Sequence, residues 1–380
     1  MSTDAATEPA KPTPLERLHR ALNAKMVPFA GYLMPLHYAD GILTEHNHAR
    51  EGAAVFDVSH MGQARLVGKD AAALLETLVP GDIAGLAPGR MRYTMLTNDA
   101  GGIIDDLMAT RAADGIALVV NASRKDVVFP YLAERLAGRA RIEIVTDRAL
   151  IALQGPRAAE VLAQFAPEAG ALSFMSGAEM TVAGVAGFVT RSGYTGEDGF
   201  EISVPADRAE ALARRLLDDP RVKPVGLGAR DSLRLEAGLC LYGQDLDETT
   251  TPIEAGLAWT VGARRRAEKN FPGADVIVRQ IAEGPRRLRV GIRPEGRAPA
   301  RAGTALVRPD GSSAGAITSG GFGPTVGGPV AMGYVAADAA RPGTGLDAIV
   351  RGKPLPARVV SLPFVPHRYH VTRPRKENRP

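Results

Sequence analysis

Two adjacent aspartates follow a glycine-rich turn in the first third of the chain. Residues 97–102 supply the turn, and Asp105 and Asp106 lie between apolar neighbours. Adjacent side chains of a strand face opposite sides, so one aspartate would face inward while the other faces solvent or backbone. An inward carboxylate needs a partner, and a bound ligand that carries an amine is one candidate. The alternative is that both aspartates only cap the turn.

A second glycine-rich loop, at residues 191–199, runs into a segment that alternates as a half-buried strand does. Phe200, Ile202 and Val204 would face the core, which places Glu201 and Ser203 on the opposite face. We expect that face to be a cavity wall, where Glu201 could bind a heterocycle. A glutamate that simply faces solvent is the alternative.

A third segment predicts a short helix that ends near Gly238. Arg230 and Arg234 are four residues apart in it and share one face of the helix. Surface salt bridges would account for both arginines, so this segment alone does not decide their role.

The elements that position these residues indicate an α+β fold. Apolar residues three and four apart predict helices at 71–78 and 209–216, whereas residues 117–122 read as a strand. From about Arg286, short apolar segments alternate with turns and predict a separate all-β barrel. A chain of 380 residues exceeds the usual size of one core, so we expect two or three domains.

Composition narrows the class of protein. No apolar run approaches the roughly 18 to 20 residues that cross a membrane, and the amino terminus reads as neither a secretory nor a mitochondrial leader. The single cysteine, Cys240, excludes an intrachain disulfide and a multi-cysteine zinc site and indicates a reducing compartment. We expect a bacterial-type cytoplasm. With only 5% aromatic residues beside a net charge of +4, nucleic acid is disfavoured, and a basic patch that docks an acidic protein is expected instead.

Other catalytic and metal-binding motifs do not hold. The G-x-S-x-G match at residues 311–315 falls in a predicted β-turn rather than between a strand and a helix. No Walker A or G-x-G-x-x-G sequence occurs. His46 and His48, two apart on a predicted helix, point in different directions, so we expect no metal there.

The three acidic and basic segments, taken together, resemble the aminomethyltransferase family of the glycine cleavage system. Further matching strings are FDVSHM at 56–61, LQGP at 153–156 and PFVP at 363–366, in the same order. The resemblance extends from about Leu15 to Tyr369, nearly the whole chain, and long strings in one order are highly specific.

The resemblance implies a three-domain clover-leaf around a central folate cavity, with a carboxyl-terminal antiparallel β-barrel. Residues 15–282 would form two interleaved α+β domains, residues 283–372 the barrel, and residues 1–14 and 373–380 flexible tails. It makes Asp106 the catalytic residue. The implied folate-binding or cavity-lining residues are Glu201, Arg230, Tyr369, Met61, Asn121 and Tyr194.

The same resemblance implies the reaction. An aminomethyl group on the lipoylated H protein would give its methylene carbon to tetrahydrofolate, forming 5,10-methylenetetrahydrofolate and ammonia, with no metal, flavin or nucleotide. Glu201 would accept hydrogen bonds from the pterin, and Arg230 would either bind the glutamyl tail or orient Glu201. Asp106 would orient the reacting amine or transfer a proton. We expect a monomer that binds neither nucleic acid nor membrane.

Two other functions remain alternatives at this point. A tetrahydrofolate-dependent demethylase of small molecules would work without a lipoyl carrier. A non-enzymatic folate-binding factor of the same fold need not keep Asp106, Glu201 and Arg230, all of which are present.

Overall fold

The computed structural model describes residues 9–372. The predicted carboxyl-terminal tail and most of the predicted amino-terminal tail lie outside the described residues. Residues 1–14 were expected to form a flexible tail, but Lys11–Thr13 are held to the rest of the protein. Lys11 and Pro12 pair with residues 32–33, and the buried Thr13 hydroxyl donates a 2.6 Å hydrogen bond to Asp57 Oδ2, which holds this segment to the core.

The helices follow the spacing of apolar residues. In the sixth helix, Ala209, Leu212, Ala213 and Leu216 are buried, as their three- and four-residue spacing requires. Among the described residues, no helix combines the length and apolarity needed to cross a lipid bilayer. The helices are α1 Glu16–Ala21, α2 Gly41–Glu51, α3 Ala71–Glu76, α4 Lys125–Arg135, α5 Ala158–Leu162, α6 Ala206–Leu217, α7 Leu227–Glu236, α8 Ala263–Glu268 and α9 Ala274–Glu283.

The strands of the amino-terminal region form three sheets. They are β1 Lys11–Pro12, β2 Lys25–Phe29, β3 Tyr32–His37, β4 Ala53–Asp57, β5 Gly62–Val67, β6 Met91–Thr97, β7 Ile103–Ala112, β8 Gly115–Val120, β9 Arg141–Val145, β10 Arg148–Gln154, β11 Ser176–Val182, β12 Val185–Arg191, β13 Gly199–Pro205 and β14 Val222–Pro224. Their orders are β1-β3-β2, β11-β12-β13-β10-β4-β14 and β6-β7-β8-β5-β9.

The two larger sheets are interleaved along the chain. The chain leaves the six-stranded sheet after β4, builds the five-stranded sheet from β5 to β9, and returns to the first sheet at β10. Each sheet packs on its own apolar core, one containing Phe200 and Leu212 and the other Leu66 and Leu107. The predicted α+β class is confirmed.

The last six strands close into an antiparallel barrel of order β15-β18-β17-β16-β19-β20, and the predicted barrel is confirmed. Its interior is filled by small and branched residues such as Ile292, Ala331 and Val335. These strands are β15 Arg287–Pro294, β16 Ala305–Val307, β17 Ser313–Gly323, β18 Gly328–Ala336, β19 Gly345–Val350 and β20 Lys353–Val360.

Helix α7 lies where the amino-terminal region meets the barrel. It contacts α2 and β3 on one side and β17 and β18 on the other. Leu233 packs with residues of β4 and β10, whereas Leu235 packs with Val330 and Met332 of the barrel. The arginines of α7 are therefore fixed between two packed units.

Candidate active site

Asp105 and Asp106 lie on β7, between β6 and β8 of the five-stranded sheet, and both bind Asn121. The Asn121 side-chain amide donates to Asp105 Oδ1 at 2.8 Å and to Asp106 Oδ1 at 2.7 Å. The pairing of β7 with β8 ends at Leu107 and Val120, and Asn121 is the next residue after Val120. Its side-chain amide can therefore reach both carboxylates. The turn before β7 is capped by Asn98, whose Oδ1 accepts from the backbone N–H groups of Ala100 and Gly102. The alternative that the aspartates only cap this turn is wrong.

Burial dominates the electrostatics of the aspartate pair. Burial, followed by the neighbouring charge of Asp106, raises the pKa of Asp105 to about 8. Burial also raises the pKa of Asp106, against the lowering effect of hydrogen bonds from Tyr93 and Asn121. Two neighbouring carboxylates do not both ionise readily, so the two groups titrate as a pair.

Two aromatic residues connect Asp106 to the surface. The Tyr93 hydroxyl donates a 2.9 Å hydrogen bond to Asp106 Oδ2, and the Tyr93 ring stacks on Trp259 with centroids 5.8 Å apart. Trp259 is 64% exposed. Sequence reasoning missed both residues, although Trp259 is the single tryptophan of the chain. The stacked rings form an apolar surface that leads to the carboxylate.

Glu201 and Arg230 form a second charged group beside the first. Glu201 projects from β13 away from the core that holds Phe200 and Ile202, as predicted. Its Oε2 accepts a 3.3 Å hydrogen bond from Ser192 Oγ. Burial raises the pKa of Glu201, and the charge of Arg230 opposes that shift.

Arg230 is linked to the aspartate side of the site through Tyr194. Its guanidinium lies 4.9 Å from the centroid of the Tyr194 ring, a cation–π arrangement. Tyr194 also donates a hydrogen bond to the carbonyl oxygen of Cys240, and its electrostatic environment includes Asp106. Arg230 Nη1 is buried and has no hydrogen-bond partner among the described residues. The surface salt bridge considered for Arg230 is therefore wrong.

Arg234, the other arginine of α7, fastens the helix to the barrel. Its Nη1 donates to Asp245 Oδ2 at 2.9 Å and its Nη2 to Ser319 Oγ at 3.0 Å. Asp245 also accepts from Thr318 and Ser319 of β17. With Arg234 only 1% exposed, a surface role is wrong for this residue as well.

A cavity of about 630 Å³ lies between the six- and five-stranded sheets. Its walls include Glu201 and Ser203 of β13, Gln63 of β5 and Val119 of β8. Met61, like Val119, packs against the apolar cluster that contains Leu150. Of the predicted site residues, Glu201 lines this cavity. Asp106, Asn121, Tyr194 and Arg230 are connected to Glu201 through the contacts and charges described above.

Tyr369 is placed differently from the other predicted site residues. Its ring stacks on Phe174, with centroids 3.9 Å apart and planes 4° from parallel, and is flanked by His367. The same carboxyl-terminal segment is held by Arg368, which donates to Glu197 at 2.6 Å. A role for Tyr369 in ligand binding stays a prediction.

The histidines considered as metal ligands have protein partners. His46 is fully buried, with Nδ1 2.7 Å from Ser232 Oγ and Nε2 3.1 Å from Glu236 Oε2. His48 Nε2 lies 3.0 Å from the carbonyl oxygen of Ala53. In the part of the chain that the structure describes, no group of three His, Cys, Asp or Glu side chains could hold a metal ion.

The fold and the site define a class: an enzyme of two interleaved α+β units and a closed barrel, with a buried acidic site among them. Family profiles agree, since residues 15–265 match the GCVT N-terminal domain and residues 286–366 match the glycine cleavage T-protein C-terminal barrel domain. The chain belongs to the glycine cleavage T-protein family, as the resemblance in the sequence implied.

Individual relatives are similar over nearly their whole length. The mitochondrial aminomethyltransferase of Gallus gallus is 49% identical over 97% of this chain and 96% of its own. The mitochondrial aminomethyltransferase of Homo sapiens is 48% identical over 96% and 93%. A crystal structure of the glycine cleavage system aminomethyltransferase T from Bartonella henselae superposes with a TM-score of 0.90 at 46% identity, covering 95% of this chain and 99% of that one.

These relatives correct one expectation. The bacterial-type cytoplasm expected from the sequence is contradicted, because the relatives from Gallus gallus and Homo sapiens are mitochondrial proteins. A single cysteine indicates a reducing environment, and that property does not distinguish the cytoplasm from other reducing compartments.

Proposed function

We propose that this chain is the aminomethyltransferase of a glycine cleavage system. It transfers the methylene carbon of an aminomethyl group, carried on the lipoyl arm of the H protein, to tetrahydrofolate. The observation that carries this proposal is the half-buried Asp106 carboxylate, held by Tyr93 and Asn121 and linked through Tyr194 to Arg230 and Glu201. Family membership over both the amino-terminal region and the barrel supports it.

The residues around Glu201 fit the folate substrate. Glu201 lines the cavity, and in the part of the chain that the structure describes it accepts one side-chain hydrogen bond, from Ser192, which leaves acceptor capacity for the amino and N–H donors of a pterin. Arg230 Nη1 is a buried donor without a partner among the described residues. A buried polar group without a partner is costly, so an anionic or carbonyl group of a ligand would stabilise it. Tetrahydrofolate, when bound, supplies the amine that receives the carbon.

Asp106 provides negative charge at the reacting centre. As a carboxylate it orients the amine and stabilises the positive charge that develops when the carbon is transferred. Tyr93 and Asn121 fix its two oxygens, so little reorganisation is needed during the reaction. Burial raises the pKa of Cys240 to about 12, so this thiol stays protonated and its role is packing.

The remaining assignments are part of the same proposal. Met61, Asn121 and Tyr194 line the folate region, and Tyr369 is assigned to it on the family resemblance alone. Residues 15–282 and 283–372 form the catalytic region and the barrel domain, a division supported by β15 beginning at Arg287. The H protein that docks is lipoylated, and the chain acts as a monomer.

The test is formation of 5,10-methylenetetrahydrofolate and ammonia from tetrahydrofolate and aminomethyl-loaded H protein, with folate binding measured in parallel. Turnover that requires the loaded carrier is the expected result. Folate binding without turnover, or one-carbon release from a small methylated amine without the carrier, would overturn the proposal.

A further inference from the structure

Asp105 is absent from the transfer reaction described so far, although it is more buried than Asp106. Its side chain is fully enclosed, whereas Asp106 is partly open to the site. Asp105 Oδ2 accepts from the backbone N–H of Asn121 at 3.3 Å, and Oδ1 accepts from the Asn121 side chain at 2.8 Å. Asp105 is therefore joined to Asn121 by two hydrogen bonds.

Asn121 in turn holds Asp106. Its side-chain nitrogen lies 2.7 Å from Asp106 Oδ1 and 3.1 Å from the Asp106 carbonyl oxygen. One amide group thus spans both carboxylates, and its orientation is set by the buried Asp105. Moving or removing Asp105 would release Asn121 and leave Asp106 with Tyr93 as its main side-chain partner.

The two carboxylates differ in their donors. Asp106 accepts from the Tyr93 hydroxyl as well as from Asn121, which favours its ionised form. Within residues 9–372, the side chain of Asp105 also accepts two hydrogen bonds, but both come from Asn121, and the nearby Arg124 is already paired with Glu248 at 2.7 Å. Burial, followed by the charge of Asp106, raises the pKa of Asp105 to about 8.

Other ionisable groups face the pair from neighbouring elements. Asp105 faces the guanidinium of Arg124 and the phenol of Tyr242. Those facing Asp106 are the phenols of Tyr93 and Tyr194, the thiol of Cys240 and the carboxylate of Asp245. Burial raises the pKa of Tyr93 and Tyr194 well above that of an ordinary phenol, and raises the pKa of Tyr242 and of Cys240 to about 12, so these groups stay neutral through the range in which Asp105 titrates.

We propose that Asp105 is a positioning residue for the transfer reaction: through Asn121 it fixes the orientation of Asp106. This inference rests on the proposed function, because it assigns Asp105 a task relative to Asp106. It predicts that the site gains a second negative charge when Asp105 ionises.

The test compares Asp105→Asn and Asp105→Ala with the wild type across pH 6 to 9.5. Asparagine imitates the protonated acid, so Asp105→Asn should lose the inflection of kcat near pH 8 that the wild type shows. Asp105→Ala removes both hydrogen bonds to Asn121. At neutral pH its kcat should be about tenfold lower than the kcat of Asp105→Asn, with KM for tetrahydrofolate little changed. Asp99→Asn, an exposed change in the turn before β7, is the matched control.

A second readout does not depend on activity. In NMR spectra of protein labelled with ¹³C at its aspartate carboxyl groups, one carboxyl resonance of the wild type should titrate near pH 8. This resonance should be missing from the spectrum of Asp105→Asn. Persistence of this resonance in the variant, or equal kcat values for the alanine and asparagine variants, would overturn the inference. Loss of the resonance in a protein that never turns over would overturn the proposed function and leave the titration of Asp105 standing.

Discussion

Asp106 concentrates the chemistry of the site at one carboxylate. In Asp106→Asn the side chain keeps its shape but loses the charge that stabilises the developing positive charge. We expect kcat to fall about a hundredfold or more, with the dissociation constant for tetrahydrofolate changed by less than about threefold. Single-turnover transfer and equilibrium folate binding measure the two quantities. A variant that loses folate binding as strongly as turnover would contradict a role confined to the transition state.

Glu201 should control folate affinity rather than the transfer step. Glu201→Gln removes a charged acceptor from the cavity wall, and a hydrogen bond to such a group is worth about 1.5–3 kcal/mol, so we expect binding about ten- to a hundredfold weaker. Glu168→Gln, an exposed glutamate, is the control.

The pH dependence of binding gives Glu201 a separate signature. Burial raises the pKa of Glu201, so its accepting carboxylate is lost as pH falls through a value above that of an ordinary glutamate. As the pH is lowered, the folate affinity of the wild type should therefore begin to fall at a higher pH than the pH at which an exposed carboxylate protonates. The affinity of Glu201→Gln should not show this fall. Isothermal titration between pH 5 and 8 would check it, and an equal decline in both proteins would contradict it.

At the scale of elements, the ends of α2 and α7 are joined by buried charges. Glu236 Oε2 lies 3.1 Å from His46 Nε2 and accepts from Arg50 Nη2 at 3.0 Å, while Oε1 accepts from the backbone of Thr325 and Val326. These contacts tie both helices to the loop between β17 and β18. Burial raises the pKa of Glu236, but hydrogen bonding and the charge of His46 outweigh burial and lower this pKa to about 2.

Glu236→Gln should therefore destabilise the protein in a pH-dependent way. Removing one partner of a buried ionic cluster costs about 3–5 kcal/mol at neutral pH. Because the folded-state pKa is depressed, this stabilisation is present above the unfolded-state pKa of about 4.3 and is lost as pH falls toward about 2. Urea unfolding at pH 7, 4 and 2.5 measures it, with Glu168→Gln as control. A difference that stays constant with pH would contradict the assigned ion pairs.

At the scale of the whole molecule, folate binding should stabilise the amino-terminal region and the barrel together. Arg230 contacts the proposed site, and α7, which carries it, packs on β17 and β18 through Leu235. At a free tetrahydrofolate concentration of about 100 times Kd, we expect a stabilisation of about 2.7 kcal/mol. Thermal unfolding followed by Trp259 fluorescence and by far-ultraviolet circular dichroism should shift upward in parallel.

Glu201→Gln supplies the control for this stabilisation. The variant should show a smaller upward shift at the same tetrahydrofolate concentration, because its affinity is lower. A folate-dependent shift seen by only one of the two probes would mean that the barrel unfolds independently of the site.

Local sequence determined much of the fold. The two-residue alternation of residues 200–204 predicted which side of β13 is buried, because successive side chains of a strand point to opposite faces. The change to short strands from about Arg286 predicted the barrel, and the motif strings predicted the family. Each of these features depends on neighbours in the chain, so no long-range contact is needed to detect it.

Tertiary structure decided how the site is assembled. Nothing local to Asp105 indicates that Asn121, sixteen residues away, binds both aspartates, or that Tyr93 and Trp259 connect Asp106 to the surface. The burial of Arg234 likewise depends on the barrel that packs against α7, whereas the surroundings of Arg230 are set by Tyr194 and Glu201. The spacing of the two arginines alone could not separate an exposed salt bridge from either environment. The segment at Lys11–Thr13 was predicted to be flexible because its composition is polar, and the buried Asp57 that fixes it lies 44 residues away. Pairings across such separations arise from how the sheets pack, and this packing is what converts scattered polar residues into one site.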